Sequence, residues 1–185
     1  MKKYLKTNQI AVIVAICLSL VVFLLDKYDV ADIHTHKIQG KIIKVYDGDT
    51  ITLYANHTKY KIRLYGIDAP ELNQNFGKQS QENLQSMCEI GNEAIVEIKN
   101  KDRYNRLVGI LSCDGINANK KQLESGYAWA YTEYISNIQE KLEYNSLQKK
   151  AKDLKLGLWS EKNPIKPSEF RHNKPKIQTL PAFNF

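Results

Sequence analysis

The chain has 185 residues, 27 Lys and Arg against 20 Asp and Glu, and 3 Cys. A hydrophobic fraction of 43% with 25% charged residues is a globular composition, which excludes wholesale disorder; three cysteines exclude a disulfide-built mini-scaffold, and a single long apolar run excludes a polytopic membrane protein. The net charge of +7 points to an anionic partner, either nucleic acid or a membrane surface.

The first segment, residues 1–8, is basic, with Lys2, Lys3 and Lys6. Residues 9–25 follow as an apolar stretch, of which Ile10 to Leu25 is 16 residues without a charge. Counted from Thr7, the uncharged run is 19 residues, or roughly 28 Å as a helix, close to the hydrocarbon thickness of a bilayer. The run is either a signal peptide or a single-span anchor. No pair of small residues marks a cleavage site at Phe23-Leu24-Leu25-Asp26, which favours the anchor. Lysines before the run and Asp26, Asp29 and Asp32 after it place the rest of the chain outside the cytoplasm. Secretion is the expectation if the segment is cleaved. Residues 26–37 read as a polar linker. Residues 1–37 hold 5 basic and 3 acidic residues, so 22 basic and 17 acidic residues remain for the rest.

Lys41 to Tyr46 reads as a strand, Asp47-Gly48 as a tight hairpin turn and Thr50 to Tyr54 as the return strand. Asn56-His57 marks another turn before the alternating strand Lys59 to Leu64. A helix is predicted over Phe76–Met87, strands over Ala94–Ile98 and Leu107–Leu111, and a short helix over Asn119–Glu124. A longer helix over Ile138–Lys155 has Ile138, Leu142, Leu147, Ala151 and Leu154 as its expected inner stripe and Gly157 as its stop. Five short strands with a helix after the third suggest an α+β fold, an OB-type five-stranded barrel with three helices, over residues 38–160. Residues 161–185 form a Pro-, Lys- and Asn-rich tail.

Three segments carry candidate chemistry. Asp47-Gly48-Asp49-Thr50 alone reads as an ordinary turn, and Asp102-Arg103-Tyr104-Asn105-Arg106 as a solvated hairpin tip. Arg63-Leu64-Tyr65-Gly66-Ile67-Asp68-Ala69-Pro70-Glu71 is less ordinary, with an arginine on an apolar strand and two carboxylates beside a rigid proline. Together, the ends of adjacent strands bring Asp49 and Asp68 near each other as hard oxygen ligands for a divalent cation. No His/Cys spacing suggests zinc. Glu71 is placed to hold a water as general base, and Arg63 and Arg106 offer two guanidinium forks to one phosphate. That set suits phosphodiester hydrolysis.

These three segments and Gly157-Leu158-Trp159 resemble, in order, the motifs of the thermonuclease (staphylococcal-nuclease-like) family, from about Gly40 to Ser160. The resemblance implies a calcium-dependent nuclease on an OB-type barrel, with magnesium the weaker candidate. Such a nuclease would cleave DNA and RNA with little sequence preference and leave 3′-phosphates. It implies that Asp49, Asp68 and the Ala69 carbonyl bind calcium, that Arg63, Glu71 and Arg106 are catalytic, and that Tyr104 lies near the bound nucleotide. Tyr131 and Tyr134 are further candidates for the base pocket, with ordinary packing the alternative. Asn105 stands where many relatives have Gly, and Asn tolerates the left-handed backbone. Cys88 and Cys113, both outside the cytoplasm in this orientation, are expected to form a disulfide; two buried thiols are the alternative. No protein partner is expected, and the chain is read as a monomer. Rival readings are a non-catalytic nucleic-acid-binding OB module and a membrane-tethered DNA-uptake factor.

Overall fold

Along strands β1 (Lys37–Val45), β2 (Thr50–Ala55) and β3 (Thr58–Leu64), aliphatic side chains turn inward and most lysines outward, so one face makes a core and the other meets water. The computed structural model describes Ser19 and residues 36–173. The predicted apolar helix over residues 9–25 lies, Ser19 apart, outside the described residues. Among those described, no helix is long and apolar enough to cross a membrane.

The three strands form the expected meander. Asn56 and His57 both take the left-handed backbone, at φ 48° and 59°, and make the two-residue turn between β2 and β3. The Asp47-Gly48 turn differs from the prediction. Pairing resumes only between Val45 and Ile51, so the connection is a wider loop. Gly48 does not adopt the left-handed backbone; it is small because a Cβ there would run into Ser80 Oγ and Ala69.

After β4 (Ile67–Asp68) and helix α1 (Gly77–Met87), strand β5 (Glu93–Lys101) pairs with β1, and β6 (Leu107–Cys113) pairs with β5. A parallel pairing of β6 with β3 closes five strands into an OB-type barrel, with Ile62 opposite Leu107 and Arg63 opposite Val108. Irregular register at Ile42/Lys44 and Ile98/Asn100 bends β1 and β5 enough for closure. Ile42, Ile51, Leu53, Ile62, Leu64, Val96 and Leu111 fill the interior.

Strand β7 (Ile116–Asn117) leads into helix α2 (Ala118–Glu124), where the Asn117 side chain accepts the Lys120 amide as an N-cap. Strand β8 (Trp129–Ala130) pairs with β4 and precedes helix α3 (Ile138–Asp153). The inner stripe of α3 differs from the expected one. Tyr144 and Ala151 are buried and Leu147 packs on the core, whereas Ile138, Leu142 and Leu154 are exposed. Tyr144 fixes the facing: its ring fills the space left by Gly66, where any Cβ would collide with it. A fourth helix, α4 (Pro167–His172), lies in what reads as tail, with Pro167 buried at its first turn.

Cys88, the C-cap of α1, is joined by a disulfide to Cys113 at the end of β6, with Cα atoms 5.5 Å apart at a sequence separation of 25. Closing a loop of that length in the unfolded chain should contribute about 3 kcal/mol. Equilibrium unfolding of the Cys88→Ser/Cys113→Ser variant, compared with the oxidised chain, should show a loss of that order.

Candidate active site

The loop between β1 and β2, the end of β3 and strand β4 meet at one end of the barrel. Asp49 and Asp68 are each only 5% exposed there. The Arg63 guanidinium lies between them, with Nη2 2.9 Å from Asp68 Oδ1 and 3.1 Å from Asp49 Oδ2. Its Nη1 donates to the Leu64 carbonyl at 2.9 Å. Asp49 also accepts the Ala69 amide at 2.6 Å and the Thr50 hydroxyl at 3.0 Å. The Asp49 carbonyl receives the Leu64 amide at 2.7 Å, tying the loop to β3.

Polar groups behind this corner hold the backbone in place. Buried Gln122 donates to the Gly48 carbonyl at 2.6 Å and to the Ser80 carbonyl at 2.9 Å. Buried Asn119 donates to the Tyr65 carbonyl at 2.8 Å and accepts the Leu111 amide at 2.9 Å. Each would cost a buried, unpaired polar group if its partner shifted.

Burial, against the pull of Arg63, pushes the Asp49 carboxyl up to about 7. Burial and the neighbouring Asp49 charge also raise Asp68, with Arg63 and Arg171 opposing. Burial thus outweighs the nearby arginines at both carboxyl groups.

Glu71 sits just beyond β4 and is half-buried. Its Oε1 is 2.9 Å from Nη1 of Arg171 on α4. The same guanidinium reaches Asp68, with Nη2 3.0 Å from Oδ2 and Nη1 3.3 Å from Oδ1. Although burial opposes it, these bonds hold Arg171 more firmly protonated than usual. Arg171 is the site residue that sequence reading misses. It is 100 positions from Glu71, and only docking of the tail brings them together: Gln74 donates to the Ile165 carbonyl at 2.7 Å and Asn75 to Glu161 at 2.8 Å. The available sequence signal was Pro167, a residue type favoured at the first turn of a helix, within the supposed tail.

Arg106 stands immediately before β6, whose Leu107 and Val108 pair with Ile62 and Arg63. Its Nε lies 2.7 Å from Asp102 Oδ2, so Asp102 holds it and not the Asp49–Asp68 pair. Asp102 also accepts the Tyr104 and Arg106 amides, which outweigh burial and keep its carboxyl below the usual range. Asn105 takes the left-handed backbone, φ 66°. Tyr104 is 65% exposed, with the Arg103 and Arg106 guanidinium carbons 4.9 and 5.6 Å from its ring centre. Tyr131, one residue past β8, is exposed beside Tyr134, with ring centres 5.5 Å apart. Burial raises its pKa first, and the bond to Tyr134 and the Asp68 charge add to that.

The family model described as staphylococcal nuclease homologue matches residues 61–161. The chain belongs to the staphylococcal nuclease family. It is 37% identical over 145 residues to a protein named uncharacterized endonuclease from Escherichia coli O157:H7, covering 78% of this chain and 88% of that one. It is 34% identical over 143 residues to a protein named micrococcal nuclease from Shigella flexneri, covering 72% and 80%. A staphylococcal-like nuclease from Arabidopsis thaliana is 37% identical over 116 residues, covering 63% and 34%.

Among the described residues, no three His, Cys, Asp or Glu side chains stand close enough together to hold a metal by themselves. The Asp49–Asp68 pair nonetheless fits a hard cation that completes its shell with water or substrate oxygens. Burial raises both carboxyls, so a further positive charge at the pair favours their ionised form, and the Arg171 guanidinium already serves one as counter-cation.

Arg171 contributes stability only while its carboxylate partners are ionised. The arginine is half-exposed, so solvent screening limits the pairs to about 1 kcal/mol. Arg171→Ala should lower metal-free unfolding stability by that amount at pH 8, and the difference should vanish as pH falls and Asp68 takes up its proton. Thermal melts across this range check it.

Proposed function

We propose that this chain is a calcium-dependent nuclease that hydrolyses phosphodiester bonds of DNA or RNA with little sequence preference and leaves 3′-phosphates. The observation that carries the reading is Arg63 held between two buried carboxyl groups, in a chain of the staphylococcal nuclease family. The names of the relatives, endonuclease and micrococcal nuclease, support the reaction class.

Asp49, Asp68 and the Ala69 carbonyl would hold the cation. Bound there, calcium supplies Lewis-acid stabilisation of the charge that gathers on the phosphate oxygens. Glu71 orders the attacking water and accepts its proton. Arg63 and Arg106 each donate to the phosphate as negative charge builds during attack. The water oxygen bonds to phosphorus, the bond to the 5′ oxygen breaks, and that oxygen leaves as an alkoxide that takes a proton from solvent. Asp102 holds Arg106 through Nε, which leaves the two terminal nitrogens for the phosphate, whereas Arg63 is already at the carboxylates. Tyr104 and Tyr131 offer exposed rings on which a base could stack.

The chain's own charge pattern further supports placement outside the cytoplasm, held by residues 9–25 as a membrane anchor or released if that segment is cleaved. The Cys88–Cys113 disulfide suits such an oxidising compartment.

Glu71→Gln should fold normally, since the side chain is half-exposed, and lose about 10²–10⁴-fold in kcat. Arg106→Ala should lose about 10²–10³-fold. Single-turnover cleavage of a labelled oligonucleotide measures both.

Calcium must displace the proton that Asp49 keeps up to about pH 7. Below that pH the proton competes with the metal; above it the carboxylate is free. Calcium affinity measured by isothermal titration should therefore fall as pH drops below about 7, where the raised carboxyls take up protons, and level off above it.

A further inference from the structure

We propose that helix α4 carries a built-in competitor of the metal: the Arg171 guanidinium holds carboxylate oxygens that calcium and the attacking water need, and yields them only when calcium is abundant. The inference rests on the nuclease reading above and adds regulation to that site.

The carboxylate oxygens of the site are nearly all taken. Asp49 Oδ2 accepts the Ala69 amide and lies beside Arg63, and its Oδ1 accepts the Thr50 hydroxyl. Asp68 Oδ1 is 2.9 Å from Arg63. Arg171 holds Asp68 Oδ2 at 3.0 Å and Glu71 Oε1 at 2.9 Å. One side chain thus covers a proposed metal ligand and the proposed base together.

The contact is built into the fold. Helix α4 opens on buried Pro167, and the segment before it is tied down at Gln74 and Asn75, just past Glu71. Phe170, next to Arg171, lines a cleft with Pro70, Asn73 and Gln74. One planar fork spans Asp68 and Glu71, a geometry that a lysine ammonium could not match.

Charge and exposure decide which arginine yields. When ionised, Asp49, Asp68 and Glu71 carry three negative charges against two guanidinium groups. Calcium in place of Arg171 balances them. Calcium added to both arginines leaves excess positive charge in a buried corner, which is unfavourable. Arg63 is 15% exposed and also donates to the Leu64 carbonyl, so it stays. Arg171 is 45% exposed, and its side chain can swing into water without opening the barrel. The contact therefore sets a threshold of free calcium below which the site is closed to metal and water alike.

Two competitors for one oxygen weaken each other's binding by the same factor. For a half-exposed pair of this kind the factor is about fivefold.

Isothermal titration of calcium into the full chain at pH 8, without substrate, tests the competition. Arg171→Ala should tighten calcium binding about fivefold. Lys166→Ala removes a charge at the start of α4, where the ammonium lies 5.8 Å from the Trp129 ring centre, and should shift affinity by no more than about twofold. Oligonucleotide cleavage by Arg171→Ala should reach half its maximum at about fivefold less calcium. Equal calcium affinity in Arg171→Ala and wild type, no binding by either, or an equal gain in Lys166→Ala would overturn the proposal. So would a loss of about 10²-fold in kcat at saturating calcium in Arg171→Ala, which would make the arginine a phosphate ligand. A wild-type chain that binds calcium but never cleaves contradicts the nuclease reading, and the titration still decides the competition.

Discussion

Two buried carboxyl groups converge on one guanidinium, and the rest of the corner is arranged to keep them there. Asp49 comes from the loop after β1, Asp68 from β4 and Arg63 from the last turn of the β3 alternation. Removing one member of such a buried set leaves charge without compensation, a cost of about 3–5 kcal/mol. The backbone is fixed accordingly. Gly48 lets the loop press against Ser80 and Ala69, Gln122 clamps that loop from α2, and Asn119 pins the chain between β3 and β4. The barrel closure through β3 and β6 then sets Arg106 beside the strand that carries Arg63.

The same constraint creates the chemistry. A carboxyl group pushed up by burial is poorly satisfied by one shared arginine, and it favours any further cation that can reach it. Arg171 reaches Asp68 and Glu71 from α4, so the docked end of the chain belongs to the electrostatics of the site. On the other side of Arg63, the lysines of β1 and β3 extend positive potential along the outer face.

Much of this was legible in the sequence because it is local. The β2–β3 hairpin, the alternation of β3 and the short distance from Arg63 to Asp68 place the central cluster without long-range information. Where pattern reading failed, tertiary packing decided. Asp47-Gly48 has the composition of a tight turn, but its glycine serves a close approach to α1. The α3 stripe followed aliphatic residues, whereas Tyr144 has the ring that fills the space at Gly66. Arg171 carries no periodic signal, and its partners lie about a hundred positions away. Net charge was also a poor guide: it counted lysines but did not show that four of them share one sheet face beside Arg63.

The proposed calcium-dependent reaction centre is the Asp49–Arg63–Asp68 cluster. Cleavage of single-stranded DNA by the full chain and by Asp49→Asn, each with calcium and with excess chelator, tests this most directly. The wild-type chain should cleave only with calcium, and Asp49→Asn should lose activity by orders of magnitude at every calcium concentration while remaining folded. Undiminished cleavage in chelator, or a fully active Asp49→Asn chain, would contradict it.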